Sequence, residues 1–429
     1  MTPRRTSRRR FLAGFGAVGT AALAGCSSLP FGDDSRAEQP AVSLATDDVG
    51  SVAWPASPFP VPIPGSLAAA HEARVRDLLA EVPTEPSIPN EAVAADLASD
   101  RERAAAGVDR AVDDPWPVDA LAAWRRRRER AATVRGAYRA ATGGGDPATA
   151  AERRQTVRAD LRAFEADVTY RARSPREAVL AYGPVESLLA DCERRVRPTP
   201  PYPEDPVADP FRAGEAVGRV ETARATLDDA AGLREAYLAE RPEATAQWAS
   251  VAAAAEDLEG SARRTRGVVR EALGDGPSGD DVQGTVAREL FRETEWIVES
   301  QIDDVERAMD VGEYATAVVA SGRALAATEA HRAAGEAIRE GGYREPVTAE
   351  SVRTAADRAR AAVADIGEAE ATRLAAAIGR PALERVRYAI DLVDEGYGSV
   401  VRVRALLTHA VLLARAAPEA AAFVDERLR

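Results

Sequence analysis

The side chains best suited to nucleophilic, acid–base or metal chemistry are scarce in this chain of 429 residues, which contains three histidines and two cysteines. His71, His331 and His409 fall on three separate predicted helices, and none has a second histidine at the spacing typical of metal ligands. A zinc site would also need a local signature such as paired histidines with a glutamate, which the sequence lacks. We therefore expect each histidine to have a structural or surface role. The apolar neighbours of His409 predict a buried neutral imidazole with one hydrogen bond.

Other reactive motifs are also missing from the sequence. The glycine runs at 143–145, 273–279 and 341–342 lie between predicted helices, whereas phosphate loops and dinucleotide fingerprints follow a strand. No Gly-x-Ser-x-Gly signature of a serine nucleophile occurs. Carboxylates one helical turn apart, such as Glu289 and Glu293, are typical of solvated helix faces. The sequence thus indicates no catalytic residue, no metal ligand and no cofactor. It favours a protein that is not an enzyme, although an exported enzyme is an open alternative.

The most specific motifs lie in the first 26 residues. They are the run Ser7-Arg8-Arg9-Arg10-Phe11-Leu12, followed by an uncharged stretch that ends in Leu23-Ala24-Gly25-Cys26. The arginine pair with its Phe-Leu resembles a twin-arginine export signal, and the final four residues resemble a lipobox whose cysteine thiol is alkylated by a lipid. The uncharged stretch is too short and too rich in Gly and Ala to span a bilayer, which takes about 20 apolar residues. We predict a signal peptide over 1–25 and lipidation of Cys26.

The amino-acid composition also agrees with an exported protein. The chain has 56 basic residues, all of them arginine, and 69 acidic residues, for a net charge of −13. Removal of residues 1–25 takes away five arginines and no acid, so the mature chain carries about −18. This charge disfavours nucleic acid as a partner but suits concentrated salt, where the Debye length falls to about 3 Å. Leader and composition together resemble the lipoproteins that salt-loving archaea export by the twin-arginine route, which implies an extracytoplasmic protein anchored to the cell membrane.

The segment after the leader predicts a tether. Residues 26–65 include a proline-dense stretch, Pro55 to Pro64, which disfavours a helix and favours an extended, partly disordered chain. The alternative is that Trp54, Phe59 and Val61 dock on the folded domain.

The second cysteine lies well inside the chain. If Cys26 is lipidated, Cys192 has no partner for an internal disulfide, and we expect it at a half-buried helical position.

The remaining sequence predicts an all-α protein, an antiparallel bundle or solenoid of long helices rich in Ala, Arg, Glu and Leu. Asp146 and Ser174 are predicted helix caps, with Glu177 able to complete a capping box. The Pro-rich segment 197–207 divides a module at 66–196 from one at 208–429, unless both form one continuous bundle. The predicted helices cover 66–82, 88–111, 117–141, 147–172, 175–196, 209–240, 243–273, 280–311, 314–340, 348–378, 381–394, 398–415 and 418–427.

Two local patterns carry further expectations. Gly312, Tyr314, Ala317 and Ala324 resemble the turn and second helix of a tetratricopeptide repeat. Because no 34-residue register continues along the chain, we expect a helical hairpin, and no peptide-binding residues are implied. The arginine-rich run 124–130 spreads around its helix, so we expect these side chains to pair with acidic helices more readily than with a polyanionic surface layer.

These observations favour a lipid-anchored, non-catalytic protein that binds or scaffolds another component of the cell envelope. A solute receptor that serves a transporter is the alternative among anchored lipoproteins. It would require two α/β lobes with parallel strands, and the sequence shows almost no β-rich runs.

The anchor has a direct test. Replacement of the lipidated thiol in Cys26→Ser should release the protein from membranes into the medium, because no other predicted segment holds it there. Fractionation of cells that express either form measures this release. Retention of the serine variant in the membrane fraction would refute lipidation at Cys26.

Overall fold

The computed structural model describes residues 44–429 except 113, 115, 200, 275, 278–281 and 397–398. This part of the chain forms thirteen α-helices and one two-stranded ribbon, so the predicted all-α class is confirmed. The elements are α1 (Thr46–Val49), α2 (Gly65–Ala80), α3 (Glu91–Val108), α4 (Pro117–Ala141), α5 (Pro147–Ala166), β1 (Arg171–Ala172), α6 (Pro175–Arg195), α7 (Pro210–Ala239), β2 (Thr245–Ala246), α8 (Trp248–Leu273), α9 (Val286–Val311), α10 (Tyr314–Arg339), α11 (Ala349–Ile366), α12 (Thr372–Asp394) and α13 (Val400–Arg427).

Local signals set several helix ends. Asp146 accepts hydrogen bonds from the amides of Ala148 and Thr149 at the start of α5, and Ser174 accepts one from the amide of Glu177 at the start of α6. Both predicted caps are therefore present. The carboxylate of Glu177 does not complete a capping box, because it pairs with Arg173 and Arg241. The end of the predicted helix 147–172 is wrong. Helix α5 ends at Ala166, and residues 171–172 form strand β1, which pairs antiparallel with β2.

Two expected helix breaks at prolines are absent. The predicted boundary near Pro381 is wrong: α11 ends at Ile366, and α12 runs from Thr372 to Asp394 through that proline. Proline has no amide to donate to the carbonyl four residues earlier. The Arg323 guanidinium of α10 replaces it, because Nε and Nη2 both donate to the carbonyl of Ala377, at 3.0 and 2.9 Å.

A second uninterrupted helix replaces the predicted pair 398–415 and 418–427. Helix α13 continues through Pro418, with Ala414, Ala417 and Ala421 completely or almost completely buried around it. Tertiary packing of this alanine face outweighs the cost of an interior proline, about 3 kcal/mol.

The N-terminal helices assemble around the close pair α4 and α7. A Cβ atom added to Gly136 of α4 would lie 2.9 Å from the Cβ of Val217 and 3.0 Å from the Cα of Gly214, both on α7. Gly214 and Gly218, one turn apart, leave no room for a side chain against Thr133. The two backbones therefore approach closely, which compensates for the small area that alanine buries.

Arginines from the run 124–130 pair with acids on α7, as expected. Arg125 forms an ion pair with Asp229, and Arg128 forms one with Glu221 at 2.8 Å. Glu221 is also held by Arg74 of α2, and these contacts lower the pKa of Glu221 to about 2 despite its burial. The arginine run thus stabilises the α2–α4–α7 bundle.

The segment 44–64, which we call the N-terminal strap, packs on the helical body. Phe59 and Val61 are buried in the main core, and the Trp54 ring lies edge-on to Trp116 with centroids 5.0 Å apart. Docking of these side chains, the alternative to a free tether, is thus the observed arrangement for this part. Asp48 pairs with Arg353 of α11 at 2.9 Å, so the strap begins against the C-terminal helices.

Helices α9 and α10 form the hairpin expected from its turn. Gly312 has a positive φ of 80° and caps α9, and Ala317 and Ala324 are fully buried on α10. Tyr314 lies edge-on to Trp248 of α8, with centroids 5.7 Å apart. An apolar stripe along α9 faces the core, where Leu290, Ile302 and Val305 are buried.

Helices from both sides of the Pro-rich segment contact one another in one unit. Helix α6 packs on both α7 and α10. The boundary at 197–207 stays a prediction. Among the described helices, none combines the length and apolarity needed to cross a bilayer.

A double-mutant cycle can test whether Arg323 replaces the amide donor that Pro381 lacks. Arg323→Met should destabilise the protein by about 1–3 kcal/mol, because it leaves the Ala377 carbonyl without a donor. In a Pro381→Ala background the restored amide can take that carbonyl, so the same substitution should cost less. Chemical denaturation of the four proteins gives both values. Equal costs in the two backgrounds would contradict the assigned role of Arg323.

Candidate functional site

The predicted export and lipidation residues lie outside the described part of the chain. They are Arg8, Arg9, Phe11, Leu12 and Cys26, and their roles stay predictions. Within the described part, no group of three or more His, Cys, Asp or Glu side chains has an arrangement able to hold a metal ion.

The three histidines are buried, on α2, α10 and α13. His71 Nε2 lies 2.8 Å from Asp229 Oδ1, and the same carboxylate pairs with Arg125 of α4. His331 shares a hydrogen bond of 2.9 Å with Thr294 Oγ1 and contacts the Phe291 ring. Its charged neighbours in the sequence suggest a position at the edge of the core, but the side chain is buried, so that interpretation is wrong. Burial lowers the pKa of His331 to about 4, which keeps its imidazole neutral at neutral pH.

His409 is buried, as predicted, but it lacks the expected hydrogen bond. Neither ring nitrogen has a partner in the described structure. Burial lowers its pKa to about 3, and the positive charge of Arg385 acts in the same direction. Thus none of the three histidines lies with a nucleophile or a metal-ligand set.

Cys192 is completely buried rather than half-buried. Burial, with Asp191 and Glu165 nearby, raises the pKa of its thiol to about 12. The thiolate is the reactive form of cysteine, so this residue is a packing residue.

Glu186 is a carboxylate that is buried where α6 meets α10. It lies on α6 and reaches the first turn of α10, where it accepts the amides of Ala315 at 3.2 Å and Thr316 at 2.6 Å. The Tyr170 hydroxyl also donates to it. Burial raises the pKa of Glu186 to about 7, and the three donors only partly oppose that rise. Because all of these partners are internal, the carboxyl acts as a helix cap supplied by another helix.

An open groove on the C-terminal helices is the most distinctive surface of the described structure. Its volume is about 930 Å³. Trp296 of α9 is 58% exposed there, and Tyr388 of α12 is 37% exposed. Four arginines and four glutamates complete its walls: Arg270, Arg292, Arg385, Arg402, Glu289, Glu293, Glu295 and Glu299.

Five of these side chains form an ordered row, which we call the arginine–aromatic ladder. The Arg385 guanidinium lies 5.3 Å from the Trp296 ring centroid, and that of Arg402 lies 5.6 Å from the Tyr388 ring centroid. Glu293 stands between the two arginines, at 3.6 Å from Arg385 and 3.7 Å from Arg402. Cation–π contacts and ion pairs therefore fix two large aromatic rings at the surface.

The helices place the ladder by simple spacing. Glu293 and Trp296 are three residues apart on α9, and Arg385 and Tyr388 are three apart on α12, so each pair shares one helix face. Arg402 lies in the first turn of α13. Sequence reasoning missed this site. The one sequence feature that could have indicated the groove was Trp296, a large aromatic residue on the charged face of α9, opposite the apolar stripe.

An exposed row of Trp, Tyr and Arg has the composition of a protein-binding surface. These residue types dominate the binding energy of protein interfaces because they are large, stiff and able to donate hydrogen bonds. Fold and site thus define an all-α protein with an open, aromatic groove.

Comparison with known proteins gives two family matches. Residues 66–244 match the model described as Domain of unknown function (DUF8262), and residues 248–426 match Domain of unknown function (DUF8264). No curated protein and no solved structure matches the chain. The two matched ranges meet beside β2, and the Pro-rich segment 197–207 lies inside the first. The first range contributes Glu186 and the second contributes the helix end that it caps.

The pKa of Glu186 predicts a pH dependence of folding. The folded pKa of about 7 exceeds the ordinary value of 4.5, so the folded state binds more protons between these values and loses stability as pH rises. Glu186→Gln keeps an acceptor for the α10 amides but cannot ionise. We expect the free energy of unfolding to fall more steeply from pH 5 to pH 8 in the wild type than in Glu186→Gln, as measured by urea denaturation at constant ionic strength. Parallel curves would refute this assignment.

Proposed function

We propose that this chain is a lipid-anchored, extracytoplasmic helical protein that binds another protein of the cell envelope and has no catalytic activity of its own. The arginine–aromatic ladder is the observation that carries this proposal. Its rings are exposed, and its arginines are held in place by Glu293, so binding would immobilise few additional side chains.

The charge of the groove supports a protein partner. The mature chain carries about −18 overall, which would repel an acidic partner in dilute salt. The groove walls hold equal numbers of arginine and glutamate side chains. A partner can therefore approach this surface without net repulsion and meet both donors and acceptors there.

The groove shares a helix with the attachment of the N-terminal strap. Near the start of the strap, the Thr46 hydroxyl donates to Asp394, the last residue of α12. Tyr388 lies six residues before Asp394, which is about 9 Å along the helix axis. The groove and the start of the strap therefore both involve α12.

The alternative functions have less support. A solute receptor with two α/β lobes does not fit, because the described residues hold only the two-residue strands β1 and β2. An exported enzyme would need reactive groups that converge at an accessible site, and the three histidines and Cys192 are all buried.

Crosslinking in intact cells, followed by mass spectrometry, tests the proposal. The full chain should give crosslinks to an envelope protein, and the double variant Trp296→Ala with Tyr388→Ala should reduce their yield about tenfold or more, as expected for loss of two interface anchors.

Trp248→Ala is the matched control, because Trp248 is also 50% exposed but lies on α8 outside the groove. It should leave the crosslinks unchanged. An equal loss of crosslink yield in the double variant and in Trp248→Ala would show that the groove is not part of the interface. Recovery of no protein partner, with a small ligand copurifying instead, would overturn the proposed function.

A further inference from the structure

A second, half-enclosed pocket lies on the N-terminal helices, away from the groove. It has a volume of about 300 Å³ and is bordered by α4, α5 and α7. Tyr202, from the Pro-rich segment 197–207, closes one side. A Cβ atom added to Gly145 would lie only 2.9 Å from the Tyr202 hydroxyl, so this segment folds tightly against the entrance to α5.

Positive charge dominates the lining of this pocket. Its charged side chains are five arginines and two carboxylates: Arg74, Arg135, Arg139, Arg153, Arg224, Glu221 and Asp146. The two carboxylates already have internal partners, and the five arginines leave the lining with a net positive charge. Glu221 is held by Arg74 and Arg128, and Asp146 caps its own helix through the amides of Ala148 and Thr149.

Three of the arginines have internal partners and two do not. Arg135 pairs with Glu81 at 2.6 Å, and Arg224 pairs with Asp228 at 2.9 Å. Arg139 on α4 and Arg153 on α5 make no ion pair or side-chain hydrogen bond with any described residue, and both are exposed. Two unpaired guanidinium groups thus stand at one pocket in a protein with an excess of acids.

The rest of the pocket wall is apolar. Val157 of α5 and Val220 of α7 are buried, and Val217 lies beside them against Gly136. This combination of apolar wall and convergent donors is typical of small-molecule sites, and the volume is at the lower end of their usual range. A guanidinium group binds carboxylates, sulfonates and phosphates through two parallel hydrogen bonds.

We propose that this pocket binds a small organic anion, in which an oxyanion group contacts Arg139 and Arg153 and an apolar group packs on the valine wall. The site is independent of the arginine–aromatic ladder, so it gives the protein a second binding activity. The Pro-rich segment, whose sequence predicts only a linker, contributes Tyr202 as the side wall of the site.

A matched pair of fluorescent probes tests the proposal. 8-Anilinonaphthalene-1-sulfonate combines a sulfonate with aromatic rings, and N-phenyl-1-naphthylamine has the same rings without the charge. The full chain should carry Cys26→Ser, to keep a lipid from competing, and Trp296→Ala with Tyr388→Ala, to remove the groove. In this background the sulfonate should bind saturably with one site per chain, and the neutral probe should bind more weakly.

The decisive comparison uses two double variants with the same change in charge. Arg139→Gln with Arg153→Gln should weaken sulfonate binding about tenfold or more and leave the neutral probe unaffected, because only the charged contact is lost. Arg130→Gln with Arg162→Gln alters exposed arginines of the same two helices outside the pocket, and should leave binding unchanged.

All four positions are exposed, so circular dichroism and melting temperature should match the parent in both variants. Absence of saturable sulfonate binding, equal weakening in the two double variants, or equal affinity for the neutral probe would each overturn the proposal. The crosslinks at the groove should be unaffected by Arg139→Gln with Arg153→Gln, which separates failure of this site from failure of the proposed function.

Discussion

The architecture depends on how closely alanine- and glycine-rich helices must approach to form a core. Aromatic residues make up only 5% of the chain, and the buried surface is largely alanine, which removes little area from water per residue. Contact at short range has to supply the missing dispersion energy. At the α4–α7 contact, Gly136, Gly214 and Gly218 make this possible, since any side chain there would collide with the opposite helix. Long charged side chains are excluded from the contact and pair at its edges, where Arg125 and Arg128 meet the acids of α7. At this contact the long arginine stems carry their charges to acids that flank the closely packed backbones.

A different device joins the two matched ranges. Helix α6 belongs to the first range, yet its Glu186 satisfies the first amides of α10 in the second. An N-terminus capped by its own sequence needs no neighbour, whereas this one is complete only when α6 is in place. Tyr170, in the unusual left-handed region with φ of 48°, adds a third donor to the same carboxylate. The two ranges are therefore coupled through an internal polar contact, where partial satisfaction would be costly.

Much of this fold follows from local sequence signals, and the remainder depends on contacts between distant residues. The caps at Asp146 and Ser174, the hairpin turn at Gly312 and the apolar stripe of α9 are written in neighbouring residues, so they could be predicted. The helix through Pro381 could not, because the group that replaces the missing amide comes from Arg323, far away in sequence. Docking of Phe59 depends on a surface built by later helices. The groove escaped prediction for the same reason, since Glu293, Arg385 and Arg402 come from three helices that only the fold brings together.

The strap would link the proposed anchor to the body, and its contacts can be compared with the positions of the two proposed binding sites. Its contacts are spread along its length: Asp48 pairs with Arg353, the Pro60 carbonyl accepts from Arg373 of α12, and the Pro55 carbonyl accepts from Trp116 at the start of α4. A pull on the strap from its N-terminal end would therefore load the contact of Asp48 with α11 first, then that of Pro55 with Trp116, and then that of Pro60 with α12. In the proposed arrangement, the groove lies partly on α12, whereas the anion pocket lies among α4, α5 and α7. A partner that bridges the groove and the membrane would hold the loaded helices together and oppose peeling of the strap. Occupation of the pocket would instead stabilise the bundle to which the middle of the strap is fastened. In the proposed functions, the groove would serve attachment and the pocket would serve ligand-dependent stabilisation of the body.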